Sequence, residues 1–149
     1  MPDNRISVLI HFVWATWNRE PLIQTVWERE LYRIMEAAFQ NNRCIVVAIG
    51  GTENHIHALA SITNTTTLAK LMHDVKGETS HFINARYTPP FMFRWQGSYG
   101  AFSVSAHDKE RVATYIRNQK EHHANDSLWP RAEQSSNEYI TENTAISPW

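Results

Sequence analysis

Ten residues near the start, Arg5 to Trp14, do most to limit what this chain can fold into. Ile6, Val8, Ile10, Phe12 and Trp14 alternate with Ser7, Leu9, His11 and Val13, the period-2 pattern of a strand with one continuously apolar face. Such a strand needs a cover for that face and projects His11 from the other. A second run, Asn54 to Ala60, has the same period: His55 and His57 share one face, while Ile56, Ala58 and Ala60 share the opposite one. Two imidazoles on one strand face make half of a divalent-metal site. Taken alone, the pair is better read as structural or surface histidines, and a third ligand has to come from elsewhere.

The remaining elements follow from periodicity and breakers. Ile23, Val26, Trp27, Leu31, Ile34, Met35, Ala38 and Phe39 form a helical stripe over residues 23–41, stopped by Asn41-Asn42. Residues 44–49, Cys-Ile-Val-Val-Ala-Ile, read as a buried strand, and Gly50-Gly51 as the turn after it. Thr65-Thr66-Thr67 offers N-caps for a helix over 68–86, in which Gly77 predicts a bend or a close backbone approach. Pro89-Pro90 ends that helix, and residues 93–104 read as a loop and a last strand. A third helix is expected over 106–124, capped by Ser105 or Asp108. The order βαββαβ predicts an α+β, ferredoxin-like (split βαβ) antiparallel sheet with helices on one face, plus an extra C-terminal helix. On that reading the face bearing His11, His55 and His57 stays open.

At 149 residues a single domain is expected, with residues 1–125 as its body and 126–149 as a polar acidic tail. The body through His123 carries 13 Lys+Arg and 11 Asp+Glu and all eight histidines, whereas the tail holds Arg131 against Asp126, Glu133, Glu138 and Glu142. Overall near-neutrality argues against a general nucleic-acid binder but leaves room for a local basic surface. No apolar run approaches the ~20 residues of a membrane span, and Met1-Pro2-Asp3-Asn4 predicts no signal peptide. With Cys44 as the single cysteine, a core thiol in a reducing, cytoplasmic setting is the expectation.

The third helix places Tyr115 and Gln119 four residues apart, on one face. Tyrosine can act as a covalent nucleophile once its phenol is activated. Gln119 offers a hard oxygen suited to Mg²⁺ or Mn²⁺. His11, by alternation, and His122, three residues after Gln119, are auxiliary candidates. Arg19, Lys76, Arg94 and Trp95 are candidates for contacting phosphates and stacking bases. A histidine-triad phosphohydrolase would need a third alternating histidine where Leu59 stands, and a two-histidine phosphoesterase would need two separated His-x-Ser/Thr motifs.

Taken in order, His11-Phe12-Val13-Trp14, Asn18-Arg19-Glu20-Pro21-Leu22, His55-Ile56-His57, Leu71-Met72-His73-Asp74-Val75-Lys76-Gly77 and Tyr115-Ile116-Arg117-Asn118-Gln119 resemble the IS200/IS605-type (HUH, single-tyrosine) transposases, including the branch associated with repetitive extragenic palindromes. The resemblance spans about residues 5–123. It implies Mg²⁺ or Mn²⁺ held by His55, His57 and Gln119, and attack by Tyr115 on single-stranded DNA, with a hairpin, through a 5′-phosphotyrosine intermediate. It also implies a homodimer joined edge to edge, in which Tyr115 and Gln119 could serve the partner's histidines. Small residues at Ala58 and Ala60 and the low net charge depart from the family pattern, leaving room for a domesticated, non-catalytic dimer that binds DNA hairpins.

Overall fold

The computed structural model describes residues 4–87 and 92–124, with Trp129 and Glu133 beyond them. Pro89-Pro90 and, apart from those two residues, the 126–149 tail lie outside the described residues. The elements run β1 (Leu9–Ala15), α1 (Glu28–Asn41), β2 (Ile45–Gly51), β3 (His55–Ser61), α2 (Leu68–Tyr87), β4 (Gly100–Val104), α3 (Lys109–Arg117) and α4 (Gln119–Ala124). The four strands form one antiparallel sheet in the order β2-β3-β1-β4, the expected split βαβ arrangement. No helix among the described residues is long and apolar enough to cross a membrane.

Alternation in β1 and β3 sorts the side chains as the sequence predicts. Trp14 lies opposite Ile56, Phe12 opposite Ala58 and Ile10 opposite Ala60, and this face packs against Leu31, Met35 and Phe39 of α1 and Leu71, Met72 and Val75 of α2. The apolar alternation outruns the sheet, because β3 and β4 end opposite Leu9. Ile6 and Val8, expected in the core, are therefore largely exposed. Helix α1 is shorter than its stripe: the Ile23 amide donates to Glu53 O instead of starting a turn.

Three further expectations change. Gly50-Gly51 is not a turn but the end of β2, and the reversal falls at residues 52–54. The reason for Gly50 lies above the sheet, where a Cβ would stand 2.0 Å from Ile116 O of α3. Helix α2 runs unbroken from Leu68 to Tyr87, and a Cβ on Gly77 would meet nothing within 4 Å, so neither a bend nor a close approach explains that glycine. The predicted single helix over 106–124 begins as a 3₁₀ turn, with Ser105 Oγ accepting from the Asp108 amide, and breaks at Asn118 into α3 and α4.

The largest correction concerns the second face of the sheet. It is not open: α3 lies across it, and Val112, Ala113 and Ile116 close on Ala48, Leu59 and Val104. Arg117 donates to Val47 O on β2, and Lys120 pairs with Glu28 of α1 and donates to Gly51 O at the end of β2. His11, His55 and His57 are accordingly buried at 0%, 3% and 0% exposure.

Candidate active site

Between β3 and the α3–α4 junction the buried polar side chains meet at one point. His55 and His57 leave β3 on the same side, with ring centroids 5.1 Å apart. Helix α3 brings Tyr115, 1% exposed, to within 6.0 Å of the His57 ring. Across the Asn118 break, Gln119 turns back so that its Nε2 donates to Tyr115 O, leaving Oε1 3.3 Å from His55 Nε2. Tyr115, Gln119, His55 and His57 thus converge within one chain.

Glu133, from the tail, enters this point. Its Oε1 lies 3.1 Å from His55 Nε2 and 3.1 Å from His123 Nε2; its Oε2 lies 3.0 Å from His57 Nε2 and accepts the Tyr115 hydroxyl at 2.5 Å. Neither Glu133 nor His123 was among the residues singled out from sequence. His123 stands one helical turn after Gln119, with Nε2 3.1 Å from its Oε1, so an i,i+4 reading could have found it. Nothing in the aperiodic tail marks Glu133. His122, the expected auxiliary, instead lays its ring against Tyr115 at 4.6 Å, away from the histidine cluster, and Trp129 stacks on Tyr115 at 4.2 Å and 5° and donates its amide to the hydroxyl.

The electrostatics follow from burial. Desolvation, joined by the Coulombic effect of His57, holds His11 well below the usual histidine pKa, and desolvation likewise lowers His57 and His123. Burial would raise the Glu133 carboxyl, but hydrogen bonds from His55 and His57 outweigh it and hold it far below the carboxylate range. Burial, and then the Glu133 charge, push the Tyr115 phenol up. In this arrangement the hydroxyl keeps its proton.

The donor set could hold a divalent cation. His55, His57 and Glu133 present ligand atoms all within 4.8 Å of one another. His55 Nδ1 faces Thr52 Oγ1 and Asn54 Oδ1, both at 2.9 Å. Its Nε2 faces the oxygens of Gln119 and Glu133, which it can meet as a proton donor or, with Nε2 bare, by sharing a metal ion with them.

The expected DNA-contacting residues divide. Arg94 stacks over Trp17 at 4.3 Å, and Lys76 lies 5.7 Å from the Tyr99 ring centre. Together with His73 and the open side of Gly77, Lys76, Arg94 and Tyr99 line a cleft of about 560 Å³ between α2 and the segment leading to β4. Arg19 has positive φ in the 3₁₀ turn at 17–19, and its carbonyl accepts from the Asn54 side chain beside His55. Trp95 belongs to the core instead: it is 9% exposed, packs edge-on to Trp14 and Phe93, and donates Nε1 to Thr79. It also lines the inner wall of that cleft.

Comparison with known proteins bears on the fold and the family. No curated protein matches the chain. A candidate transposase from Deinococcus radiodurans R1 superposes with a TM-score of 0.63 at 22% identity, over 80% of this chain and 98% of that one. A REP-associated tyrosine transposase bound to a REP hairpin gives 0.61 at 13% identity, over 100% of this chain and 91% of that one. At such identities these two speak for the fold. The sequence profile described as "Transposase IS200 like" matches residues 4–119, a span running from before β1 through Gln119, so the chain belongs to the IS200-like transposase family.

Proposed function

We propose that this protein is a metal-dependent single-stranded DNA strand transferase that cleaves and rejoins DNA through Tyr115. One observation carries the reading: the Tyr115 hydroxyl and the side chains of His55, His57 and Gln119 reach the same buried point from a single chain. His55, His57 and Gln119 would hold Mg²⁺ or Mn²⁺, with Glu133 in reach as a further oxygen donor. A divalent cation supplies there the positive charge that offsets developing charge on the non-bridging oxygens.

The Glu133 carboxylate stands where an anion is received by two imidazoles and the phenol, and we read that position as the place of the scissile phosphate. Tyr115 Oη forms the bond to phosphorus. The 3′ oxygen leaves, takes up a proton as a free 3′-hydroxyl, and a 5′-phosphotyrosine remains. The phenol proton, hydrogen-bonded to Glu133 Oε2 in the present arrangement, is lost on attack and balanced by the proton that the leaving 3′ oxygen takes up, so no water is consumed. Trp129 and His122, flanking the Tyr115 ring, fix the direction of its hydroxyl. The hairpin-bound relative supports a DNA hairpin as partner, and Arg19, Lys76 and Arg94 would contact its phosphates. A homodimer would join at an outer strand, β2 or β4, without adding a residue to the site.

The test is incubation with single-stranded hairpin DNA and Mn²⁺, followed by denaturing electrophoresis. Wild type should give a covalent adduct that Tyr115→Phe abolishes while hairpin binding persists; an adduct that survives the substitution refutes the assignment. The Glu133–Tyr115 hydrogen bond favours a second reading, a hairpin-binding dimer that no longer cleaves. That reading predicts no adduct from wild type in Mn²⁺ and binding that survives loss of His55 and His57.

A further inference from the structure

We propose that His11 is a positioning residue for His57, gripping its Nδ1 so that Nε2 is presented to the metal ion; the inference rests on the metal-site reading above. His11 belongs to a different strand, β1. It sits opposite Leu59 and one diagonal step from His57, the cross-strand relation that brings long side chains into contact. Its Nε2 lies 2.8 Å from His57 Nδ1, with ring centroids 5.0 Å apart, and both residues are 0% exposed. Phe102, edge-on at 6.4 Å, packs against the His11 ring.

A ligating imidazole is usually oriented by a carboxylate, carbonyl or water that accepts its second N–H. His55 has such a support in Asn54 Oδ1 and Thr52 Oγ1. His57 has an imidazole instead, and the difference has a chemical use. A carboxylate or carbonyl can only accept, whereas a neutral imidazole donates with one nitrogen and accepts with the other. When His57 donates Nε2–H to Glu133, its Nδ1 must accept and His11 donates. When a cation takes His57 Nε2, Nδ1 carries the proton and His11 accepts. The pair holds two ring protons in either state, exchanged with solvent when the site changes occupant, and the contact is kept without moving a side chain. A carboxylate at position 11 would serve only the second state and would bury a charge.

Mn²⁺ titration of the full chain by calorimetry, with thermal unfolding measured in parallel, tests this on wild type, His11→Leu, His11→Gln and His57→Ala. Loss of the partner should weaken Mn²⁺ affinity about 10- to 100-fold in His11→Leu. His11→Gln, whose amide can also donate or accept, should stay within about threefold of wild type. Unchanged affinity in His11→Leu, or equal weakening by Gln and Leu, overturns the proposal and makes His11 a packing residue. Unchanged affinity in His57→Ala instead overturns the metal site itself. Should His11→Leu fail to fold, ¹⁵N resonances of the histidine rings in wild type decide. In saturating Mg²⁺, a protonated His57 Nδ1 with bare Nε2 supports the proposal, and the reverse tautomer defeats it.

Discussion

Beneath α1 and α2, strands β1 and β3 present Phe12, Trp14, Ile56 and Ala58; beneath α3 the same strands present His11, His55 and His57 beside Leu59. Both sets are buried, yet burial acts on them in opposite senses. On the first face it removes apolar area from water, worth roughly 25 cal/mol per Å². On the second it strips imidazoles of hydration and depresses the proton affinity of His11 and His57. The helix above reflects the contrast: α3 contributes small and branched residues near Leu59 but lays the Tyr115 phenol, whose hydroxyl must be satisfied, over the histidines. One face stabilises the fold, and the other holds chemistry that the first has to support.

The contrast can be broken from either side. Phe12→Ala, on the apolar face, should have the largest effect on stability, about 3–5 kcal/mol by chemical denaturation. Gly50→Ala sets a methyl against Ile116 O at 2.0 Å and should cost about 1–3 kcal/mol. Because α3 carries Tyr115, adduct formation on hairpin DNA should fall well beyond the share of molecules unfolded; a proportional loss would mean that the site tolerates a displaced helix. Acid should act through the histidine face. His11, His57 and His123 have folded pKa values lowered below the unfolded ~6.5. Their neutral forms fit the fold above that pH, and as pH falls below it the unfolded chain binds protons that the folded chain refuses. Stability should therefore decline with acidification, and His11→Leu should flatten the slope by up to ~1.4 kcal/mol per pH unit, measured by urea denaturation between pH 5 and 7. The smallest change is expected at Gly77→Ala. A methyl there meets nothing, so α2 should gain ~1 kcal/mol with no change in Mn²⁺ affinity.

The strand faces were legible because alternation is local: Ile56 and His57 cannot share a side. The pairing of Tyr115 with Gln119 was legible for the same reason, being a matter of helical spacing that survives the break at Asn118. What could not be read was where one element lies on another. Gly50 carried the clue that α3 closes the second face, but a glycine at a strand end reads first as a turn, and only the position of Ile116 O separates the two meanings. The near-complete burial of Trp95 was not legible because two of its neighbours, Trp14 and Thr79, come from distant parts of the chain. Which of His122 and His123 meets Gln119 was not legible either, because α4 begins anew after Asn118 and is anchored through Lys120 on Glu28 and Gly51. Glu133 sits in a segment without period, and no local rule leads from it to His55.

Glu133 lies nine residues past Ala124, the end of α4. A group on so short a tether meets its site as though dissolved at an effective concentration on the order of millimolar. Free phosphate or acetate competes with it only from that range upward. On the function proposed above, a phosphodiester delivered by a hairpin gripped elsewhere on the protein would itself be tethered, and would meet the same site at comparable effective concentration. The contest at His55 and His57 would then be between two intramolecular ligands, decided by chain length and by how firmly the DNA is held at a distance.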